Sequence, residues 1–314
     1  MSMISRRSVL LGTLALPLMS SVALAADKIL ASVPGLSFPF FVHMMRAFKA
    51  EIEAQGYEAI ESDGQVSSPK QTADIEAAIT QGVKGIVISP NEVDAMAPAL
   101  QQAVEAGIPV VTVDRRVPSV EGILAHVGAD NVKGGEAQGQ LIMKLFPDGA
   151  TIINLQGQSG ASPAIDRNKG LHNVLDAAAD KYKIVFEQTA GFARDKGLSV
   201  TEAALSGLAE PPKVIVAAND DMALGAMEAV KARGLTGIAI IGFDALPEAL
   251  AQVRDGGMTE TIEQFPGKQS SLGVQTLVKF LKDGSKPDEK VLLLTPEAVT
   301  KDNLNIAERL GEVK

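Results

Sequence analysis

The sequence predicts an α/β protein of two lobes, each built on a parallel sheet covered by helices, and three observations carry this prediction. Short apolar segments rich in β-branched residues alternate with segments whose apolar residues recur at helical spacing. The strand segments are apolar almost throughout, which is typical of parallel strands buried on both faces. The 314 residues correspond to about two domains at roughly 150 residues each, and the alternation runs twice, with a short joint near Ala129–Asp130.

The predicted strands are apolar segments bounded by polar or turn residues. In chain order they are Ile29–Val33, Gly85–Ser89, Val110–Val113, Thr151–Leu155, Ile184–Glu187, Val214–Ala218, Ile238–Gly242 and Thr259–Glu263. Between them, a helix is predicted from Ser68–Pro69, where proline suits the first turn, to a stop at Gly82. Further helices are predicted over Pro98–Ala106, Ala137–Phe146 and Met222–Arg233, each followed by a glycine or a proline.

The composition excludes several classes of function. Lysine plus arginine number 29 and aspartate plus glutamate 38, giving a net charge of −9, and an acidic chain without a basic run disfavours a nucleic-acid partner. The chain has no cysteine, which excludes disulfides, thiolate nucleophiles and cysteine-ligated metals. The three histidines, His43, His126 and His172, are far apart in the sequence, so we predict no metal site and no cofactor.

Residues 1–25 have the layout of a cleavable signal peptide. A pair of arginines precedes an apolar stretch, and small residues follow, with cleavage predicted near Ala25–Ala26. A membrane anchor is disfavoured because the apolar stretch is short and contains Pro17. The segment Ser5–Leu11 also resembles a twin-arginine export signal, so both export routes stay open. Either route predicts a periplasmic protein.

Candidate binding residues follow the predicted strands, because ligands of open parallel sheets bind beyond the carboxyl ends of the strands. These positions combine phenylalanine rings with arginine, carboxylate and amide side chains. The candidates are Phe38, Phe40, Phe41, Asp114, Arg115, Arg167, Phe192, Asn219, Phe243, Asp244 and Gln264. Such a set suits a sugar or polyol: its C–H faces pack on the rings, and each hydroxyl both donates to a carboxylate and accepts from a guanidinium or an amide.

Several of these positions also have a purely structural interpretation. Asp220 is predicted as a helix N-cap, and Asp114–Arg115 alone would equally be an ion pair. The glycines of 134–139 and 157–160 lack the endings of phosphate-binding loops and are interpreted as tight turns. The site prediction therefore depends on the candidates converging in space.

Seven segments together resemble the periplasmic ribose-binding protein family, the substrate-binding components of sugar ABC importers. They are PFFVHMM (Pro39–Met45), VDRR (Val113–Arg116), ADNVKGG (Ala129–Gly135), LQGQSGAS (Leu155–Ser162), AANDDMALGA (Ala217–Ala226), IGFDALP (Ile241–Pro247) and TIEQFP (Thr261–Pro266). The resemblance covers essentially the whole chain after the signal peptide, in order.

The resemblance implies a type I periplasmic binding protein with two Rossmann-like lobes joined by a three-crossing hinge. It assigns residues 26–129 plus 265–293 to the N-terminal lobe and 130–264 plus 294–314 to the C-terminal lobe. A monosaccharide or small polyol bound between the lobes would then be passed to a membrane permease, the protein being a monomer without enzymatic activity. The expected ligand contacts are the eleven candidates named above, apart from Phe38, which departs from the family pattern.

Phe38 stands where ribose binders typically have an asparagine directly before Pro-Phe-Phe. The loss of that amide favours a different pentose, a furanose or a short polyol over ribose, since an unpaired buried hydroxyl costs about 1–3 kcal/mol. We kept Phe38 in the candidate site as a determinant of specificity.

Three rival functions can be compared with this reading of the sequence. A repressor with the same core would carry a basic DNA-reading domain in place of the export signal. A glycosidase would use Asp114 and Asp244 as its two carboxylates, but each is expected near an arginine that keeps it ionised. Presentation of the bound sugar to a chemoreceptor is compatible with import and stays open.

Overall fold

The computed structural model describes residues 26–314, and the predicted signal peptide lies outside the described residues. The strands are β1 (Lys28–Val33), β2 (Glu58–Asp63), β3 (Gly85–Ile88), β4 (Val110–Val113), β5 (Ala125–Ala129), β6 (Ala150–Gln156), β7 (Tyr182–Thr189), β8 (Val214–Ala217), β9 (Ala239–Ile241), β10 (Thr261–Glu263), β11 (Val291–Leu294) and β12 (Glu297–Val299). The helices are α1 (Pro39–Ala54), α2 (Ser68–Thr80), α3 (Val93–Glu105), α4 (Asn131–Leu145), α5 (Ser162–Leu175), α6 (Arg194–Gly207), α7 (Asp220–Ala232), α8 (Pro247–Asp255) and α9 (Pro266–Asp283).

The first sheet is parallel throughout, in the order β2-β1-β3-β4-β5-β11. Its two faces are buried against different helices because successive side chains of a strand point to opposite sides. Ile29 belongs to the cluster with α1 and α9, whereas its neighbour Leu30 belongs to the cluster with α2 and α3. Burial on both faces explains why these strands are apolar almost throughout.

The second sheet has the order β7-β6-β8-β9 and is also parallel. A bridge between Ile241 and Glu260 connects it to β10, which pairs with β12 in antiparallel fashion. Together the two sheets confirm the predicted α/β class. The chain passes between them three times, after β5, after β10 and after β11, which ends at Leu294.

Glycines of α4 bring it very close to α5, which corrects the interpretation of residues 134–139 as a tight turn. A Cβ atom at Gly135 would lie 2.1 Å from the carbonyl oxygen of Arg167, and one at Gly170 would lie 2.0 Å from that of Val132. Only glycine allows the two backbones this approach. The close packing fixes α5, which carries Arg167, against the start of α4.

Several predicted boundaries differ from the observed ones. Helix α3 begins at Val93, five residues before the predicted start at Pro98, so Pro98 lies inside the helix, where it has no N–H to donate to the carbonyl four residues earlier. Helix α4 begins at Asn131, six residues before the predicted start at Ala137, and Asp130 caps it by accepting from the Lys133 N–H.

Candidate functional site

A cavity lies between the two sheets, at the carboxyl ends of their strands. The lining residues come from both sheets: Phe38, Phe40, Phe41, Asp114 and Arg115 on one side, and Pro163, Arg167, Phe192, Asn219, Asp221, Asp244 and Gln264 around the rest. Ten of the eleven sequence-predicted candidates therefore meet at one place.

Phe243 is the candidate that does not line the cavity. Its ring is completely buried, and the guanidinium carbon of Arg167 lies 3.6 Å from the ring centroid. The sequence placed Phe243 at the end of a strand but could not distinguish a ring facing the cavity from one lying behind it. Its position makes it a support for Arg167, through a cation–π contact.

Asp114 and Arg115 directly follow β4 and form the pair contributed by the first sheet. The Ser89 hydroxyl donates to Asp114 Oδ2 at 2.9 Å, and Arg115 Nε lies 3.8 Å from the same oxygen, beyond hydrogen-bond distance. Arg115 Nη1 donates to the Asn91 carbonyl at 2.6 Å and to Gln158 Oε1 at 3.1 Å. Arg115 Nε is buried and has no acceptor among the described residues, so a cavity-lining arginine keeps one N–H unused.

Arg167 and Asp244 form the corresponding pair beside the second sheet. Arg167 Nη1 lies 3.4 Å from Asp244 Oδ1 and donates to the Ala218 carbonyl at 2.6 Å. Arg167 Nε donates to Asn131 Oδ1 at 2.8 Å. Gln264 Nε2 donates to the same Asp244 oxygen at 2.6 Å. Both side chains of the pair are almost completely buried.

Phenylalanine rings form the apolar walls. Phe38 is the N-cap residue of α1, and Pro39 in the first turn starts the helix that presents Phe40 and Phe41. The Phe41 ring meets those of Phe38 and Phe40 edge to face, with centroids 6.1 Å and 5.3 Å away. The Arg115 guanidinium lies 5.2 Å from the Phe41 centroid and 5.6 Å from that of Phe192.

Asn219, and not Asp220, caps α7. The Asn219 side-chain oxygen accepts from the Met222 N–H, and its amide nitrogen donates to the Phe192 carbonyl at 3.1 Å. Asp220 is fully buried and accepts from the Thr261 hydroxyl and the Leu246 N–H. The N-cap prediction for Asp220 is therefore wrong: its role is to tie α7 to β10 and the start of α8.

Backbone strain concentrates at the cavity. Asp114, Phe192 and Asp244 have φ angles of 63°, 63° and 108°, a region that residues other than glycine seldom occupy. Each such residue costs about 1–3 kcal/mol and persists only where the surrounding structure holds it. All three residues line the cavity within three residues of the end of a strand.

Burial dominates the electrostatics of the site. It raises the pKa of Asp114, although the guanidinium groups of Arg115 and Arg167 oppose the shift. It raises the pKa of Asp244 to about 7 against the opposing effect of Arg167, and lowers the pKa of Arg115 to about 10. A neutral ligand whose hydroxyls donate to these carboxylates would favour their charged forms.

Sequence reasoning missed two lining residues, Pro163 and Asp221. Both are in the first turn of a helix: Asp221 lies two residues after Asn219, and Pro163 lies four residues before Arg167. Among residues 26–314, no three acidic or histidine side chains gather in a way that could hold a metal ion. None of the helices in this part of the chain is both long and apolar enough to cross a bilayer.

Comparisons with known proteins agree on one family. A family model described as a periplasmic binding protein domain matches residues 29–286. The chain is 36% identical over 272 residues to the ribose import binding protein of Escherichia coli (strain K12), covering 86% of this chain and 90% of that protein.

Two solved structures extend the comparison to bound ligands. The myo-inositol binding protein of Caulobacter, bound to myo-inositol, is 40% identical with a TM-score of 0.88 and covers 91% of this chain and 97% of that one. The periplasmic binding component of the arabinose ABC transporter from Shewanella sp. ANA-3, bound to α- and β-L-arabinofuranose, is 30% identical with a TM-score of 0.83, covering 89% and 94%.

Proposed function

The chain belongs to the periplasmic binding protein family, and we propose that it binds a monosaccharide or small polyol between its two sheets and delivers it to the membrane permease of an ABC importer. The observation that carries the proposal is the meeting of two Asp–Arg pairs, one from each sheet, around a cavity walled by phenylalanine rings. The eleven candidate residues are proposed as its binding site, with Phe243 acting through Arg167.

The chemistry of the cavity suits a polyhydroxylated ring. Asp114 and Asp244 accept from hydroxyls, Arg115 Nε is a donor without a partner among the described residues, and the phenylalanine rings cover C–H faces. A hydrogen bond to a charged group contributes about 1.5–3 kcal/mol. A few such bonds, together with ring burial, suffice for micromolar binding of a molecule of this size.

Contacts across the cavity couple binding to closure. Besides the Arg115–Gln158 bond, the Val93 N–H donates to the Gly160 carbonyl at 2.9 Å. We take residues 26–129 plus 265–293 and 130–264 plus 294–314 as the two lobes. A ligand that touches both lobes stabilises the closed arrangement through contacts that an open one lacks. The permease can then recognise closure.

The ligand is proposed to be a cyclic polyol such as myo-inositol, or a furanose, in preference to ribose. The solved relatives named above bind myo-inositol and arabinofuranose, and Phe38 removes the amide typical of ribose binders. The test is a thermal-shift screen of the chain from residue 26, which is first unfolded and refolded to remove bound ligand. The compounds are myo-inositol, L-arabinose, D-ribose and D-galactose, and calorimetry follows for each compound that raises the melting temperature. We expect myo-inositol or L-arabinose to raise the melting temperature most; failure of all four would overturn the proposal.

Phe38→Asn tests the specificity assignment. Restoring the amide should strengthen D-ribose binding by about 5- to 150-fold, the equivalent of one buried hydroxyl regaining its partner. Ser37→Asn, at the exposed neighbouring position, serves as the control and should leave the ligand profile unchanged. An unaltered profile in Phe38→Asn would mean that position 38 does not set specificity.

Localisation, oligomeric state and lack of catalysis complete the proposal. Residues 1–25 would direct export to the periplasm by the general or the twin-arginine route. The protein would act as a monomer without enzymatic activity, since Asp114 and Asp244 each lie beside a buried arginine instead of forming an acid–base pair. Presentation of the closed form to a chemoreceptor would use the same closure.

A further inference from the structure

Asp221 is a buried carboxylate at the edge of the cavity. Its residue is 8% exposed, it lines the cavity, and its Oδ2 atom accepts no hydrogen bond among the described residues. Native proteins pair almost all buried polar atoms, and leaving one unpaired costs about as much as the lost hydrogen bond. A carboxylate kept in this state at a cavity wall is a place for a donor from outside the chain.

The Asp114–Arg115 and Arg167–Asp244 pairs leave Asp221 as a carboxylate of the cavity that has no arginine of its own among the described residues. Arg115 and Arg167 face Asp114 and Asp244, whereas Arg194, the cation that most affects Asp221, is hydrogen-bonded to Glu228 and Glu248. Burial raises the pKa of Asp221 to about 6. The cavity wall thus includes a carboxylate that neither arginine of the two pairs contacts.

Phe38 shares this side of the cavity with Asp221. Both residues also border the groove that adjoins the cavity, which Ala193 and Arg194 line further out. At Phe38 the wall offers a ring and no hydrogen-bonding group, so a ligand hydroxyl on this side has Asp221 as its acceptor.

We propose that Asp221 is a specificity-determining residue of the site, which accepts a hydrogen bond from one ligand hydroxyl on the side walled by Phe38. The inference rests on the proposed function, since it needs a polyhydroxylated ligand in this cavity. It adds a hydrogen-bond acceptor that is not among the candidates predicted from the ends of the strands.

A structural role for Asp221 predicts different behaviour. Asp221 is in the first turn of α7, where the positive end of the helix dipole favours a carboxylate. Asp195 is the second residue of α6, just as Asp221 is the second residue of α7. Asp195 borders the same groove without lining the cavity. Asp195→Asn therefore reproduces the loss of a helix-terminal charge without touching the proposed ligand contact.

The test measures Kd by calorimetry for myo-inositol and for its single-deoxy analogues, the quercitols, in wild type, Asp221→Ala, Asp221→Asn and Asp195→Asn. We expect Asp221→Ala to weaken myo-inositol binding by about 10- to 150-fold, the worth of a hydrogen bond to a charged group, and Asp221→Asn to weaken it less. For the quercitol that lacks the contacting hydroxyl, wild type and Asp221→Ala should bind equally. If myo-inositol does not bind wild type, D-ribose and 2-deoxy-D-ribose replace the pair.

The outcomes separate this inference from the proposed function. Wild type that binds none of the probes overturns both. If wild type binds myo-inositol, but Asp221→Ala has an unchanged Kd and a melting temperature lowered as in Asp195→Asn, only the role of Asp221 is overturned. Asp221 is then a helix-terminal charge. A misfolded Asp221→Ala leaves the decision to Asp221→Asn, which keeps the shape of the side chain.

Discussion

Arg115 beside the first sheet and Arg167 beside the second line the same cavity, but their surroundings differ. Arg167 is held on its own side of the cavity by Asn131, the Ala218 carbonyl and the Phe243 ring. On its own side Arg115 has the Asn91 carbonyl and, at 5.2 Å, the Phe41 ring, and its other hydrogen bond goes to Gln158 across the cavity.

The difference implies a division of labour between the two halves of the site. The Arg167 half is complete without the opposite lobe, so it can receive the ligand with its side chains already ordered, which lowers the entropic cost of binding. The Arg115 half gains Gln158 only when the lobes meet, and its Nε has no acceptor among the described residues. We therefore expect Arg167 to contribute to stability as well as binding, and Arg115 mainly to binding.

Arg167→Ala gives the largest expected effect. It leaves Asp244 buried without its cation and removes the stacking partner of Phe243, and breaking a buried ion pair in this way costs about 3–5 kcal/mol. Urea unfolding should show a loss of that order in the unfolding free energy, together with loss of ligand binding. Arg167→Met, which restores apolar contact with Phe243, should recover part of the stability and none of the affinity. If Arg167→Ala has the same unfolding free energy as wild type, the Arg167 half of the site is not ordered before the ligand binds.

Arg115→Ala should separate binding from stability. Asp114 keeps its bond from Ser89, so we expect a loss of about 1–3 kcal/mol in the unfolding free energy, smaller than that of Arg167→Ala. The ligand-induced rise in melting temperature should disappear. Equal stability losses in the two variants would remove the distinction drawn between the halves.

Asp244 should make stability depend on pH. Because burial raises its pKa to about 7 from an ordinary value of 3.8, the folded protein keeps a proton that the unfolded chain releases as pH rises above 3.8. This contribution is complete below pH 3.8 and is lost by about pH 7, with a slope of up to about 1.4 kcal/mol per pH unit. When the pH is raised from 5 to 6, the unfolding free energy of ligand-stripped Asp244→Asn should fall by about 1 kcal/mol less than that of wild type. Parallel profiles would contradict the raised pKa.

The sequence predicted every strand of the second sheet and β1, β3 and β4 of the first, but missed β2, β5 and β11 of the first. Strands β1, β3 and β4 are buried almost throughout, and each was found from its apolar run. β2 and β11 lie at the edges of the first sheet and alternate exposed with partly buried residues. An edge strand needs no continuous apolar run, so the signal used for the central strands is absent there.

The rule that ligands bind at the carboxyl ends of parallel strands predicted the part of the site that lies at those ends. Asp114 directly follows β4 and Asp244 lies three residues beyond the end of β9, whereas Asp221 and Pro163 are inside the next helices. Sequence position also cannot show which face of a buried ring meets the cavity, as Phe243 demonstrates. Such facing depends on packing between segments far apart in the chain.

Arg116→Gln gives the smallest expected effect and tests whether contacts outside the cavity help close it. The Arg116 guanidinium binds both carboxylate oxygens of Asp166, with Nη2 and Oδ1 2.9 Å apart, and the Arg116 N–H donates to the Ser162 hydroxyl. Arg116 is 38% exposed at its side chain, so the pair is worth at most about 1 kcal/mol. Because the pair spans the two sheets, its loss should weaken ligand binding by about 2- to 5-fold. Arg254→Gln removes an exposed pair with Asp255 on one side only and should leave Kd unchanged; equal Kd values in both variants would mean that closure draws its stability from the cavity alone.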